Sequence, residues 1–309
     1  MQIKNIMIDQ SLKELTEHRT VELPVACYET TINHNIYGYI PLHWHDELQF
    51  VYIVRGEALF QINDEEMVIR EGGGLFINSG CLHMAEDWND TRCTYICLNV
   101  SPQFVLPKEL HASYVYPYIQ ATNVPYYFLS PSESFGKDIL DAIIKINQCI
   151  EKKPPRYEVD ISVMLTFIWR SIVSNTPQIE NDQKENISYQ RIKRMLNWIH
   201  QHYTEKIRLE DIAKVGQLSR SETCRYFKRM IKTSPLSYVI EYRIQQSLDL
   251  LRRPESNVTE VAYQVGFNST SYFIDKFSKS MNMTPLAYKK NQLEQGTNSE
   301  GVYIPADGI

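Results

Sequence analysis

The sequence predicts an α+β protein of two domains. The first is an N-terminal antiparallel β-barrel or sandwich carrying a helical hairpin, and the second is all-α with two helix-turn-helix modules. Three observations predict this. Residues 25 to 100 read as short β runs between turn signals, residues 139 to 172 as two helical periodicities, and residues 205 to 290 hold one pattern twice. Ser219, Phe227 and Pro235 step by eight, as do Ser269, Phe277 and Pro285, so the copies lie fifty residues apart.

The β runs are Leu48 to Val54, Glu57 to Asn63, Glu66 to Arg70 and Arg92 to Val100, rich in β-branched and aromatic side chains. Arg55-Gly56, Asn63-Asp64 and Gly72-Gly73-Gly74 punctuate them, a spacing that suits a small antiparallel fold. After a Pro- and Tyr-rich connector, Pro102 to Pro131, one helix is marked by Ile139, Leu140, Ile143, Ile144, Ile146 and Ile150. Beyond Pro154-Pro155 a second is marked by Val159, Ile161, Met164, Leu165, Ile168, Trp169 and Ile172. Apolar positions three and four apart give each an apolar face, so the two should form an antiparallel hairpin. One side is expected to cover the barrel and the other to pair with a second subunit. Residues 1–176 therefore form the first domain. The polar, aperiodic stretch 177–186 is the linker, 187–290 the second domain, and 291–309 a flexible tail.

Charge divides along the same line. Residues 187–309 hold 18 Lys+Arg against 12 Asp+Glu, net +6, whereas the preceding residues hold 14 against 25, net -11. The second half is the one suited to a polyanion. Six cysteines without zinc-like spacing, and no apolar segment of signal-peptide type, point to a reduced, cytoplasmic protein. Cys93 and Cys97 share a strand face but stand too far apart, at roughly 3.3 Å per residue, for a disulfide or a shared metal to be expected. No apolar run approaches the roughly 20 residues that cross a bilayer, so no membrane partner is expected.

In the second copy, Val258, Val261, Ala262 and Val265 make one apolar helical face. Asn257 with Glu260 offers a capping box, Gly266 ends the helix where a positive φ is expected, and Ser269 caps the next helix, followed by Thr270. Phe273 and Phe277 anchor that helix, leaving Ser271, Tyr272, Ile274, Asp275 and Lys279 outward. In the first copy Leu209, Ile212, Ala213 and Gly216 form the face, and Ser219 with Glu222 makes a capping box. Phe227 and Met230 anchor, leaving Arg220, Ser221, Cys224, Arg225 and Lys228 outward. Between the copies Ser234 and Pro235 start a helix that stops before Pro254, a rigid spacer.

These residues resemble the AraC family of bacterial transcription regulators. The resemblance rests on Val258-Thr-Glu-Val-Ala-Tyr-Gln-Val-Gly-Phe267, Ser271-Tyr-Phe273, Phe277 and Met283-Thr-Pro285. Ile199-His-Gln-His-Tyr203, Leu209-Glu-Asp-Ile-Ala213, Tyr242-Arg-Ile244 and Leu250-Leu251 extend it to about 100 residues from Ile192. It implies binding to double-stranded promoter DNA, with base contacts at Ser221, Cys224 and Arg225 and at Ser271, Tyr272, Ile274 and Asp275. Phosphate contacts would fall on Ser219, Lys228, Ser269 and Lys279. Two positions depart from the family pattern. Thr223 stands where a large apolar residue is usual and implies a looser first module, and Asp275 stands where a basic residue is common. The bland alternative is that these helices form a protein-binding bundle.

In the first domain, Pro41-Leu-His43-Trp-His45-Asp-Glu-Leu-Gln49, Gly74 and Ser79-Gly80-Cys-Leu-His83 resemble the two cupin motifs, so the barrel is expected to be cupin-like. The acidic ligand of metal-binding cupins is here Gln49. Three readings stay open for His43, His45, His83 and Gln49: a ligand pocket without metal, a divalent transition-metal site, or structural histidines. No cofactor is required by the first. Trp44 and Trp88 are candidates for stacking on a sugar, and Glu47 and Arg55 for polar pocket contacts. Met84 and the tyrosines of Tyr114 to Tyr127 are assigned to packing. The whole reads as a cytoplasmic, homodimeric regulator, an activator with repression left open, that binds a small effector, a carbohydrate among the candidates, and contacts RNA polymerase. An enzyme is not expected, because Gln49 removes a catalytic ligand. The rivals are a metal-dependent cupin enzyme fused to a DNA-binding tail and a regulator responding to a partner protein.

Overall fold

The computed structural model describes residues 6–20, 23–35, 37–176 and 178–291. Of the expected tail only residue 291 lies among them, and Pro177 of the expected linker lies outside. The chain divides into two compact units after Lys193.

Nine strands build the first unit: β1 Val25–Thr31, β2 Tyr39–His43, β3 Leu48–Arg55, β4 Glu57–Ile62, β5 Glu65–Arg70, β6 Gly74–Ile77, β7 His83–Asp87, β8 Thr94–Val100 and β9 Tyr126–Leu129. Among the described residues they form two antiparallel sheets, ordered β1-β8-β3-β6-β9 and β2-β7-β4-β5, rather than one closed barrel. The chain changes sheet between β5 and β6 at the three glycines. Gly72 has φ 81°, and a Cβ on Gly74 would meet Val51 O at 2.0 Å, so that position admits no side chain.

All seven residues of β8 are buried because its sheet is covered on both faces. Val51, Ile53, Tyr95 and Cys97 face Ala58, Phe60, Ile62 and Ala85 of the other sheet. Phe50, Ile96, Leu98 and Val100 face the helical hairpin. Two short helices, α1 His111–Tyr114 and α2 Tyr116–Ile119, precede β9, and the hairpin is α3 Ser134–Lys152 with α4 Tyr157–Asn175. It packs on the outer face of the five-stranded sheet through Ile139, Leu140, Ile143 and Ile146 of α3 and Ile161, Leu165, Ile168 and Trp169 of α4. Trp169 satisfies its indole nitrogen on Tyr114 O at 2.7 Å. Burying each such side chain contributes roughly 1.5–3 kcal/mol.

The expected linker is not free. Thr122 N donates to Glu180 O (2.8 Å), and Asn123 Nδ2 donates to Gln178 O (2.9 Å). Helix α5, Gln183–His202, starts inside that segment, so the units divide within a helix and not in the polar stretch.

The second unit continues with α6 Leu209–Gly216, α7 Arg220–Met230, α8 Pro235–Leu251, α9 Val258–Gln264 and α10 Thr270–Met281. Local signals set these ends. Ser219 N donates to the Glu222 carboxylate (2.9 Å) and Glu222 N to Ser219 Oγ (3.2 Å), closing the capping box of α7. Asn257 caps α9 through Thr259 N at 2.8 Å, a bond to the second helical residue instead of the expected exchange with Glu260. Gly266 has φ 89°, and a Cβ there would lie 2.6 Å from Tyr203 O, which confirms the expected stop. Phe227, Phe273 and Phe277 are fully buried. Thr223 is fully buried too, and its hydroxyl donates to Ser219 O at 2.9 Å, so its polar atom is satisfied inside the first module.

Candidate functional site

Each recognition helix is fixed by a cap at one end and buried aromatics below, which leaves its other face to solvent. On α7, Arg220, Ser221, Arg225 and Lys228 are exposed beside the cap Ser219, and Cys224 is half-buried. Arg220 pairs with Glu210 at 3.1 Å. On α10, Ser271, Tyr272, Ile274, Asp275 and Lys279 are exposed beside the cap Ser269, with Thr270 half-buried. Asp275 is held ionised by the hydrogen bond and charge of Lys279, 2.8 Å away, and by Lys276 at 3.9 Å. The basic residues of this helix therefore flank, and partly neutralise, the acidic one. Spacer α8 has 17 residues, about 25 Å at 1.5 Å per residue. All thirteen residues expected to face DNA thus lie on the two capped helices or their caps.

The first unit encloses a cavity between the sheets, lined by Tyr28, Ile40, His43, Gln49, Phe60 and His83 among others. Strand pairing assembles it. His43 of β2 pairs with His83 of β7, and Gln49 of β3 pairs with Asn99 of β8, so each pair points its side chains one way. His45 lies two residues beyond the end of β2. The imidazoles of His43 and His83 are 4.2 Å apart by centroid, those of His45 and His83 5.0 Å.

Three backbone carbonyls orient the rings. Nδ1 of His43 donates to Pro41 O (2.7 Å), that of His45 to Glu47 O (3.2 Å) and that of His83 to Cys81 O (2.9 Å). A carbonyl only accepts, so each proton sits on Nδ1 and each Nε2 presents a lone pair to the cavity. Gln49 Oε1 lies 2.8 Å from His45 Nε2 and 3.0 Å from His83 Nε2. Ligand atoms of the three histidines all lie within 4.8 Å of one another. Burial pushes all three imidazoles down, His43 to about 4, despite the nearby Glu14 carboxylate that acts the other way on His43 and His45.

Glu14 enters from the N-terminal segment. Glu14 N donates to Trp44 O and Trp44 N to Leu12 O, both at 2.9 Å, which lays residues 12–14 beside the histidine motif. Its Oε2 accepts from His18 Nε2 (3.0 Å) and lies 3.6 Å from His43 Nε2. Asn99 Nδ2 donates to His18 Nδ1 at 3.0 Å, which makes Nε2 the donor. Burial alone would raise the Glu14 carboxyl, but the bond from His18 and the adjoining imidazoles hold it below the ordinary carboxylate range.

Of the expected pocket residues the structure brings together His43, His45, Gln49 and His83, with Glu47 half-buried 3.6 Å from His45 Nδ1. Trp44 turns away: its indole donates to Ser11 O, and Lys193 Nζ sits 3.8 Å from its ring centroid. Trp88 and Arg55 are exposed, Arg55 donating to Arg92 O, and neither lines the cavity. Met84, assigned to packing, does line it, as do Glu14, His18, Tyr28 and Asn99, which the sequence did not single out. All six cysteines are free thiols. No helix among the described residues is long and apolar enough to cross a membrane.

A model of the AraC-like ligand binding domain matches residues 29–117, and a helix-turn-helix domain model matches residues 212–291. The chain is 67% identical over 288 residues to the HTH-type transcriptional regulator YdeC of Bacillus subtilis (strain 168), covering 93% of this chain and 99% of that one. It is 25% identical over 256 residues to the HTH-type transcriptional regulator YdiP of Escherichia coli (strain K12), covering 80% of each. Among solved structures, an apo ToxT variant from Vibrio cholerae aligns over 89% of this chain and 99% of its own, with 16% identity and a TM-score of 0.42. With both domain models matched in order and such identity along nearly its whole length, the chain belongs to the AraC family of DNA-binding transcriptional regulators.

Proposed function

We propose that the chain is a one-component regulator in which α7 and α10 read adjacent major-groove segments of a promoter and a small polar effector occupies the cavity between the sheets. The observation that supports this most is the pair of capped helices, each with a buried aromatic underside and an exposed polar face. They lie in a segment, residues 187–290, with 18 Lys+Arg against 9 Asp+Glu. Such a surface gains affinity from phosphates and specificity from the side chains that reach base edges. Arg225 is the strongest candidate for direct reading, since a guanidinium pairs bidentately with guanine. Sidedness of α4 supports a homodimer: Val159, Val163 and Phe167 make an exposed apolar stripe on the face away from the sheet.

Selection of sites from a random duplex pool by the full-length protein tests the reading. The enriched motif should contain two short boxes about 10 base pairs apart, one for each module. A single box, or no enrichment, would refute two-module reading.

A further inference from the structure

The cavity holds an arrangement that an organic effector does not explain. Three imidazole Nε2 lone pairs converge, each ring locked by its Nδ1 bond to a carbonyl. The Gln49 side-chain amide sits among them, 2.8 Å from His45 Nε2 and 3.0 Å from His83 Nε2. The Glu14 side chain is 3% exposed, and one of its two oxygens, Oε1, is buried without a hydrogen-bond partner. A buried carboxylate oxygen with no donor is costly, and a positive centre beside the converging imidazole lone pairs would relieve it. Imidazole nitrogens with one carboxylate suit a first-row divalent ion and not calcium or magnesium, which take oxygen ligands. Gln49 fits either state, since its amide nitrogen can donate to His45 and His83 and its oxygen can face a cation.

We propose that this cavity binds a divalent transition-metal ion through Nε2 of His43, His45 and His83, with Glu14 as the acidic ligand, so that the ion fastens the N-terminal segment to the sheets. The carboxylate missing at Gln49 is thereby supplied from a different element. Residues 12–14 already pair with Trp44, which stands between two of the ligands, and Asn99 and His18 orient the carboxylate from behind. Such supporting bonds are what a metal site requires beyond its ligands. This inference rests on reading the cavity as the ligand site.

The test uses the full-length, tag-free protein stripped with a chelator and titrated calorimetrically with Zn²⁺ or Co²⁺. One equivalent should bind, and Co²⁺ should give a visible ligand-field absorption. Glu14→Gln, nearly isosteric and checked for folding by circular dichroism, should weaken binding by at least about tenfold. It should also abolish the metal-dependent protection of residues 6–20 from proteolysis. Gln49→Glu should tighten binding, and His83→Gln should remove the site. No uptake by the wild type overturns the proposal, as does an equivalent that survives His83→Gln or is indifferent to Glu14→Gln. The underlying cavity reading is judged separately, by whether a monosaccharide panel raises the melting temperature of the wild type and not of Thr30→Leu, a lining position outside the bonds that hold Glu14.

Discussion

Arg225 and Lys228 occupy one helix face, three residues apart, yet their expected roles differ. Arg225 is exposed at the middle of α7, whereas Lys228 lies nearer its end and reaches Lys232 O at 2.9 Å. Arg225→Ala should relax base preference at one step of the site and cost roughly 1–3 kcal/mol on the specific duplex. Lys228→Ala should weaken specific and random duplexes about equally, because a phosphate contact carries no base information. Fluorescence anisotropy on both duplexes separates them, and an equal loss on both for Arg225→Ala would assign it to the backbone. At this scale the sequence was legible where chemistry is local. His43 and His45 stand out by their alternate places on one strand and His83 by the resemblance to the cupin motifs, and the structure joins them. Glu14 does not, because its place depends on a pairing with Trp44, thirty residues on, that no periodicity announces. Trp44 misled for the complementary reason: a neighbour in sequence of two cavity residues points to the opposite side of an extended chain.

The elements of the second unit were readable because their signals are short-range. Ser219 with Glu222, Ser234 with Pro235, and Gly266 each act within a turn or two, and each end falls where they stand. Ser219→Ala should therefore cost about 1 kcal/mol, lowering the chemical-denaturation midpoint of the second unit without changing its helix content when folded. A midpoint unchanged from wild type would mean that packing under Phe227, and not the cap, sets that helix start. Strands β1, β2, β6, β7 and β9 do not stand out as separate runs, and the last four are only four or five residues long and set among prolines, histidines and glycines. Their pairing is decided by partners distant in sequence, as when Tyr126–Leu129 adds to the edge beside β6. The start of α5 escaped as well, since Gln183 to Asn186 carry no apolar periodicity and the helix is recognisable only from Ile187 onward. On α4, Val163 is 64% exposed at the centre of the apolar stripe. Val163→Asp should shift a dimer to monomer in sedimentation velocity while leaving the melting temperature of the first unit nearly unchanged, because the side chain contributes nothing to the intramolecular core. An unaltered oligomeric state would clear this stripe of a role in pairing.

For the whole molecule, the division of charge is the feature that sequence and structure share most directly. Net -11 before residue 187 and net +6 after it separate a β unit built around a lined cavity from a helical unit suited to a polyanion. The charge sums are divided at the polar stretch, whose residues 178–182 are bonded back onto Thr122 and Asn123. The central claim is that the helical unit binds duplex DNA through phosphates along two modules at once. Its most direct test is the affinity of a fragment from Gln183 to Lys290, which keeps α5 whole, for duplex from its own promoter as salt is raised. Binding should weaken by orders of magnitude between about 50 and 200 mM monovalent salt, log affinity falling linearly with log salt as counterions return to the phosphates. Affinity that stays flat over that range, or no binding to the duplex at low salt, would contradict it.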